Sequence, residues 1–266
     1  CIGLFSVFET DLLLTGYIYS GGFCANMGGR ISSVMDLTTR DGNKKRFAGK
    51  IGASTFGAKL LLEGPIVKLK ADNGGSSSFI FSYKNSYLEQ SSKVFYGYVD
   101  ENGLPFNYSD FYGKVSLNGS NGSKVNFFGF SYSDNATYKS VSNYAWDALG
   151  GGLNFVVIPG ASPVLIDGNI AFSNYEIALE EANTAPRTSG ISGFNAGFNL
   201  NYFLGKDQLQ FGFEMLGFAT DFNYTNSANR TITQEQFTSE IAPFITYKLT
   251  RKKILIEPGI RLQYYA

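Results

Sequence analysis

From Lys44 to the end of the chain, apolar and polar residues alternate with a period of two, the signature of β-strands with one apolar face. The clearest run is Phe194, Ala196, Phe198, Leu200 and Tyr202, interleaved with Asn195, Gly197, Asn199 and Asn201. Leu209, Phe211, Phe213 and Met215 alternate in the same way with Gln208, Gln210, Gly212 and Glu214. Earlier segments repeat the pattern: Phe47, Ile51 and Ala53 oppose Ala48 and Lys50, Leu60 and Leu62 oppose Lys59 and Glu63, and Phe79, Phe81 and Tyr83 oppose Ser82 and Lys84. Phe111, Val115 and Leu117 then oppose Tyr112, Lys114 and Ser116, and later come 149–157 paired with 164–172, 241–249 and 254–264. Two places resist assignment. Phe127 and Phe128 are adjacent, which blurs the phase, and beyond Met215 the alternation shifts, which reads as a β-bulge. The total is about eleven strands of roughly 10–16 residues, longer than the roughly 5–6 usual in globular sheets and enough to cross a membrane at a tilt.

The spacing of turn residues predicts short connections at 118–122, 159–163, 204–207 and 250–253, and long polar loops near 88–108, 134–143, 177–187 and 223–235. Short turns at one end and long loops at the other are the habit of transmembrane barrels. The faces opposite the apolar rows carry Asn, Ser, Gln and Gly more than charge, which suits an interior better than a solvent surface. The alternative is a β-sandwich, such as a secreted carbohydrate-binding one, with the apolar rows buried between two layers. Before Lys44 the chain is apolar without clear alternation. It contains the pairs Gly21–Gly22 and Gly28–Gly29, one strand at 31–37 and a charged turn at 41–43, and reads as a small unit that hands over to a large sheet.

Composition narrows the chemistry. The formal net charge is zero, so nothing points to a nucleic-acid partner. There is no His, which removes Ser-His-Asp and Cys-His catalysis and most zinc sites. The adjacent Glu180 and Glu181 sit in a polar stretch and read as a solvated face. Cys1 and Cys24 have no metal-ligand spacing and read as unpaired. No enzyme, metal or cofactor is expected. Mean hydropathy is −0.07, and no apolar run reaches the roughly 18 residues of a spanning helix. The opening residues 1–10 show no signal-peptide pattern, so an exported protein would here be represented by an internal or processed piece.

The run GGRISSVMDLTTRDGN at 28–43, followed by Gly49 and by LLLEGPI at 60–66, resembles the plug-to-barrel junction of TonB-dependent outer-membrane receptors, in the form common among Bacteroidetes-type receptors. The resemblance implies an all-β chain: the C-terminal part of an N-terminal plug over 1–43, and over 44–266 the N-terminal half of a transmembrane antiparallel barrel of about twenty-two strands. About eleven strands cannot close by themselves, so further chain or another chain would complete the wall. The implied location is the bacterial outer membrane. The implied function is import of a bulky solute (siderophore, cobalamin or glycan), driven by a TonB-type energy-coupling protein. The alternative is a receptor-like barrel that serves as a docking subunit of a larger membrane complex, with a surface lipoprotein as a further candidate partner.

Two sets of site residues follow. Arg30 and Arg40, at the end of the plug, are expected to face the inner-wall carboxylates Glu63, Glu214, Glu240 and Glu257, because a buried charge needs a partner. Tyr96, Tyr98, Phe106, Tyr108, Tyr138 and Trp146, in or near the outer loops, are the candidate substrate contacts; their rings suit solute stacking and interfacial anchoring alike.

Overall fold

A computed structural model describes residues 10–29, 32–69, 74–95, 97–98, 103–138, 141–160, 162–182, 185–226, 228 and 230–266. A 3-10 turn (Thr10–Leu12) leads into β1 (Leu13–Tyr19), which pairs antiparallel with β2 (Val34–Thr39) as a separate two-stranded sheet. Everything after it is one antiparallel meander: β3 (Ala48–Ala53), β4 (Gly57–Val67), β5 (Ser76–Ser86), β6 (Phe106–Asn118), β7 (Lys124–Tyr138), β8 (Ser142–Val157), β9 (Val164–Glu181), β10 (Arg187–Leu204), β11 (Asp207–Thr225) and β12 (Thr231–Arg251). Three short strands, β13 (Ile254–Ile256), β14 (Gly259–Arg261) and β15 (Tyr264–Tyr265), all pair with β12. They share one position, so the thirteen-stranded sheet has eleven places in its wall. The path is continuous and open, running from β3 at one edge to the β13–β15 position at the other. Apart from the short β1–β2 pair, no second layer of strands faces it among the described residues, and the outward apolar rows stay exposed, which is not the arrangement of a sandwich.

The last position is broken for a stated chemical reason. Leu262 N donates to Pro243 O at 3.0 Å. Pro243 has no N–H to return the bond, and the strand lapses at 262–263; it also lapses at 257–258, where Pro258 lacks a donor. Pro65 does the same on β4, where the register to β5 shifts between Pro65 and Val67.

The two-stranded sheet lies on one face of the meander, called here the inner face. Its Leu12 (1% exposed) packs with Leu61, Ile80 and Tyr112 from β4, β5 and β6, and Phe128 and Phe130 close around them. This settles the blurred phase of β7. Asn126, Phe128, Phe130 and Tyr132 all point inward, and Phe127 points outward, 47% exposed. The alternation is regular, but the inner face is apolar there because Leu12 covers it.

The outer face carries an apolar band: Val164, Ile166, Ile170 and Phe172 on β9, Phe194 to Tyr202 on β10, and Leu209 to Met215 on β11. Five alternating residues cover about 27 Å along a strand, close to the roughly 25 Å band of membrane barrels. The strands do not stop where the band ends. β9 to β12 run for 18, 18, 19 and 21 residues, so most of what reads as long loops at 134–143, 177–187 and 223–235 is strand. The connection at 87–105 holds a helix, α1 (Leu88–Phe95), whose Leu88 N is capped by Ser86 Oγ at 3.2 Å. There is no bulge at Met215 either: the ladders to β10 and β12 are unbroken from Asp207 to Asn223. What changes is polarity. Above the band the outward positions become Asn174, Glu176, Asp221 and Asn223, and the inward ones become Tyr175, Ile177, Phe218 and Phe222. On β9 and β11 the apolar side switches faces while the backbone keeps its register.

Truncating Ile80 to Ala should cost about 2–5 kcal/mol in detergent, since it removes the wall's share of the Leu12 contact, whereas Ile51→Ala, at an 80% exposed position on the edge strand, should stay within about 0.5 kcal/mol. Thermal unfolding followed by heat-modifiable gel mobility separates the two.

Candidate functional site

The segment after β2 is fastened to the inner face by charge. Arg40 makes a two-pronged bond to Glu63 on β4, Nη1 to Oε2 at 2.7 Å and Nη2 to Oε1 at 3.0 Å, and donates Nε to Asp11 O at 2.7 Å. Asp41 accepts from Lys124 Nζ at 2.7 Å and Ser116 Oγ at 3.0 Å, with Lys114 and Lys44 each at 3.3 Å. Lys114 also donates to Thr39 O at 2.8 Å, and the hydroxyls of Thr39 and Tyr112 share a hydrogen bond of 2.8 Å. At the far end Asp11 bridges Lys50 at 2.8 Å and Lys59 at 3.2 Å, and these hydrogen bonds lower its pKa. Burial pushes the Asp41 carboxyl up, but Lys124, Lys114 and Ser116 outweigh it and hold its pKa at about 2. Gly42 belongs to the same seat. A Cβ there would lie 1.9 Å from Phe79 O, so only glycine lets this turn lie flat on β5.

A second contact forms across the sheet. Gly28 rests on Arg261, where a Cβ would come 2.1 Å from Nε, and Gly29 has φ +71° beside Gln263 and Glu240. Arg261 binds Glu214 at 2.9 Å and Glu240 at 3.2 Å and reaches Ala25 O at 3.5 Å. Of the four carboxylates singled out by sequence, Glu63 therefore meets Arg40, while Glu214 and Glu240 meet an arginine of their own sheet. Glu257 faces the free thiol of Cys24, whose pKa is raised by burial and then by Glu257. Arg30 lies outside the described residues, as does Cys1. Sequence reasoning missed Asp41, Lys114 and Lys124. Their separation of more than seventy positions hides the cluster, and the only signal was lysine on faces otherwise rich in Ser and Asn. Around this seat a cavity of about 380 Å³ remains between Leu14, Asp36, Tyr112, Asn126, Phe130 and Asn154.

Above the band the inner face is aromatic. Phe106, Tyr108, Tyr138 and Trp146 all project from it, on β6, β7 and β8. Phe106 meets Tyr138 edge-on at 6.3 Å, and Trp146 stacks on Tyr144 at 5.8 Å with 13° between planes. Lys84 lies 5.3 Å over the Tyr108 ring and pairs with Asp110 at 2.9 Å. Tyr98 is 85% exposed beyond α1, and Tyr96 is not among the described residues. Tyr144, Tyr175, Phe218, Phe222 and Tyr224 extend the surface and were not foreseen; their signal was the polarity switch that reads as a bulge. A further hollow of about 960 Å³ is on the outer face between Leu149, Phe172, Phe194 and Phe237. Its walls are apolar rings and small residues, and it lies away from both charged contacts.

The sequence matches no family model and no curated protein. The structure, however, superposes on the copper transporter OprC with a TM-score of 0.61, covering 92% of this chain and 41% of that one at 10% identity. It also superposes on the siderophore receptor PiuA from Acinetobacter baumannii with a TM-score of 0.56, covering 89% and 48% at 8% identity. The fold is that of these barrels. The chain spans less than half the length of either, so its open sheet corresponds to part of such a wall.

Asp41→Asn should loosen the seat by about 3 kcal/mol, because it strips the buried Lys114 and the half-buried Lys124 of their counter-charge. Amide exchange at Thr39 and Arg40 would then speed up on the order of a hundredfold. With a native pKa below the unfolded value of 3.8, Asp41 stabilises the seat fully above about pH 4 and loses that contribution as pH falls through about 2. In Asp41→Asn this acid-sensitive step should vanish from the exchange profile.

Proposed function

We propose that the chain is part of an outer-membrane importer: residues 1–43 are the C-terminal end of a plug, and 44–266 are about half of the barrel wall that surrounds it. The observation that carries this reading is the polarity switch along unbroken strands. An outer face apolar for about 25 Å and then polar suits a wall that leaves hydrocarbon for water. An inner face that turns aromatic at the same level suits a mouth that receives a solute. The likeness to a copper transporter and a siderophore receptor supports transport over catalysis, and the GGR run that closes the plug supports TonB-type energy coupling in the Bacteroidetes manner. A bulky solute (siderophore, cobalamin or glycan) would bind at the aromatic mouth among Phe106, Tyr108, Tyr138 and Trp146. The plug would then rearrange to open a path while Arg40, Asp41 and Glu63 hold its end to the wall.

Deleting the gene should abolish energised accumulation of one solute, and a protonophore should do the same in the parent strain. Uptake unchanged by deletion would sink the import reading and leave a docking role in a larger complex, with a surface lipoprotein as partner.

A further inference from the structure

We infer that the outer face holds a lipid of the surrounding bilayer whose headgroup bears a primary ammonium, an inference that rests on the outer-membrane reading above. Consecutive outward rows of the sheet, each crossing β8 to β12 in direct register, make the surface. One row holds Gly151, Phe172, Phe194, Gly217 and Ser239, and the next holds Leu149, Asn174, Ser192, Ala219 and Phe237. The middle members of the second row are small. The hollow of about 960 Å³ therefore opens above the Phe172 and Phe194 rings, with Leu149 on one side and Phe237 on the other. Both side walls stand proud, Leu149 at 62% and Phe237 at 77% exposure. This bay lies at the upper edge of the apolar band, where the wall is bathed in lipid, and an acyl chain fits its apolar sides.

The next outward row, about 7 Å higher, is acidic. Asp147 lies opposite Glu176, Glu176 opposite Gly190, Gly190 opposite Asp221, and Asp221 opposite Glu235. Asp221 leans over the gap at Gly190, where a Cβ would come 2.4 Å from its Oδ1. The carboxylates thus line about 19 Å of wall directly above the bay. Like charges opposed across strands destabilise a sheet, and no neighbour on this side relieves them. The one basic residue pointing outward from β8 to β12 is Arg251, at the other end of β12 and bound to Asp207 at 2.6 Å. A headgroup that presents only phosphate is repelled by such a row. A primary ammonium brings the complementary charge and N–H donors for the carboxylates, and in a lipid it sits directly above an acyl chain, as the row sits above the bay. A second copy of this chain would set one acidic row against another.

Full-length protein in detergent would be offered equal amounts of phosphatidylethanolamine, phosphatidylcholine and phosphatidylglycerol, with and without magnesium, and the retained lipid read by native mass spectrometry. Phosphatidylethanolamine is expected to be retained about fivefold or more over each of the others, less so in high salt, and to raise the melting temperature. The combined variant Asp147→Asn, Glu176→Gln, Asp221→Asn and Glu235→Gln should bring this preference to within about twofold. It should melt no lower than the parent in phosphatidylcholine, since it sheds the opposed like charges. Ala219→Phe, which fills the bay and keeps the carboxylates, should lower retention of all three lipids. Equal retention, or a preference that survives the amide variant, would overturn the inference. So would a magnesium-dependent preference for phosphatidylglycerol, an added lysine-rich amphipathic peptide that displaces every lipid, or a dimer that sheds them. Protein that fails to co-float with vesicles of any of these lipids would sink the membrane reading itself; protein that co-floats without preference would sink the lipid site alone.

Discussion

In a hydrogen-bonded meander the side chains have no choice of face: once the register is set, odd and even positions are committed for the length of the strand. From this constraint the rest of the structure follows. Because the ladder from β5 to β12 is unbroken, a change in which face is apolar cannot be absorbed by rotating the strand, and so it records a change of surroundings. On β11 the outward row runs from Leu209 through Met215 to Asp221, while the inward row runs from Gln208 through Glu214 to Phe222. One strand thus carries two opposite amphipathic patterns end to end, and β8 and β9 do the same at the same level, while β10 carries mainly small and polar residues there.

The charged seat answers a different requirement. A short two-stranded sheet buries too little apolar surface to stay in place by itself. Its Leu12 supplies one apolar anchor, and the ions supply position. Most of these ions have the opposite sense to the expected one: carboxylates of the small unit (Asp11, Asp41) meet lysines of the large sheet, and Arg40–Glu63 is the described pair that runs the other way. Grouping several lysines around one carboxylate distributes the cost of desolvation over many hydrogen bonds, which makes a partly buried cluster tolerable. Geometry is fixed along with it, because Gly42 is pressed so close to the β5 backbone that a methyl group would not fit, and one at Gly28 would have to displace the Arg261 side chain.

The sequence was most legible where the two faces differ most. Phe194 to Tyr202 and Leu209 to Met215 show their strand nature directly, since one face is apolar and the other is amide-rich. Legibility failed where a second element changes the polarity of the inner face. The phase looked unclear at Phe127 and Phe128 because Leu12 makes the inner position Phe128 apolar too, and the aromatics above Met215 looked like a bulge because the environment changes. The polar stretches read as loops for the same reason: a strand projecting into water is polar outside, and its short aromatic inner row is easily taken for anchoring residues. Of the site, the Gly28–Gly29 pair and Arg40–Glu63 were visible through a motif and a charge argument. The Asp41 cluster joins residues whose only link is the fold, and no local pattern could have announced it.

Spin labels placed one at a time along β11 from Leu209 to Asn223 test the central claim most directly, by comparing their accessibility to oxygen, which concentrates in hydrocarbon, with that to a water-soluble nickel chelate. The account predicts oxygen maxima at Leu209, Phe211, Phe213 and Met215, and nickel maxima at Asp221 and Asn223, with no oxygen maximum at Phe218 or Phe222. Oxygen maxima that move onto Phe218 and Phe222 would mean that those rings face lipid, and would contradict it.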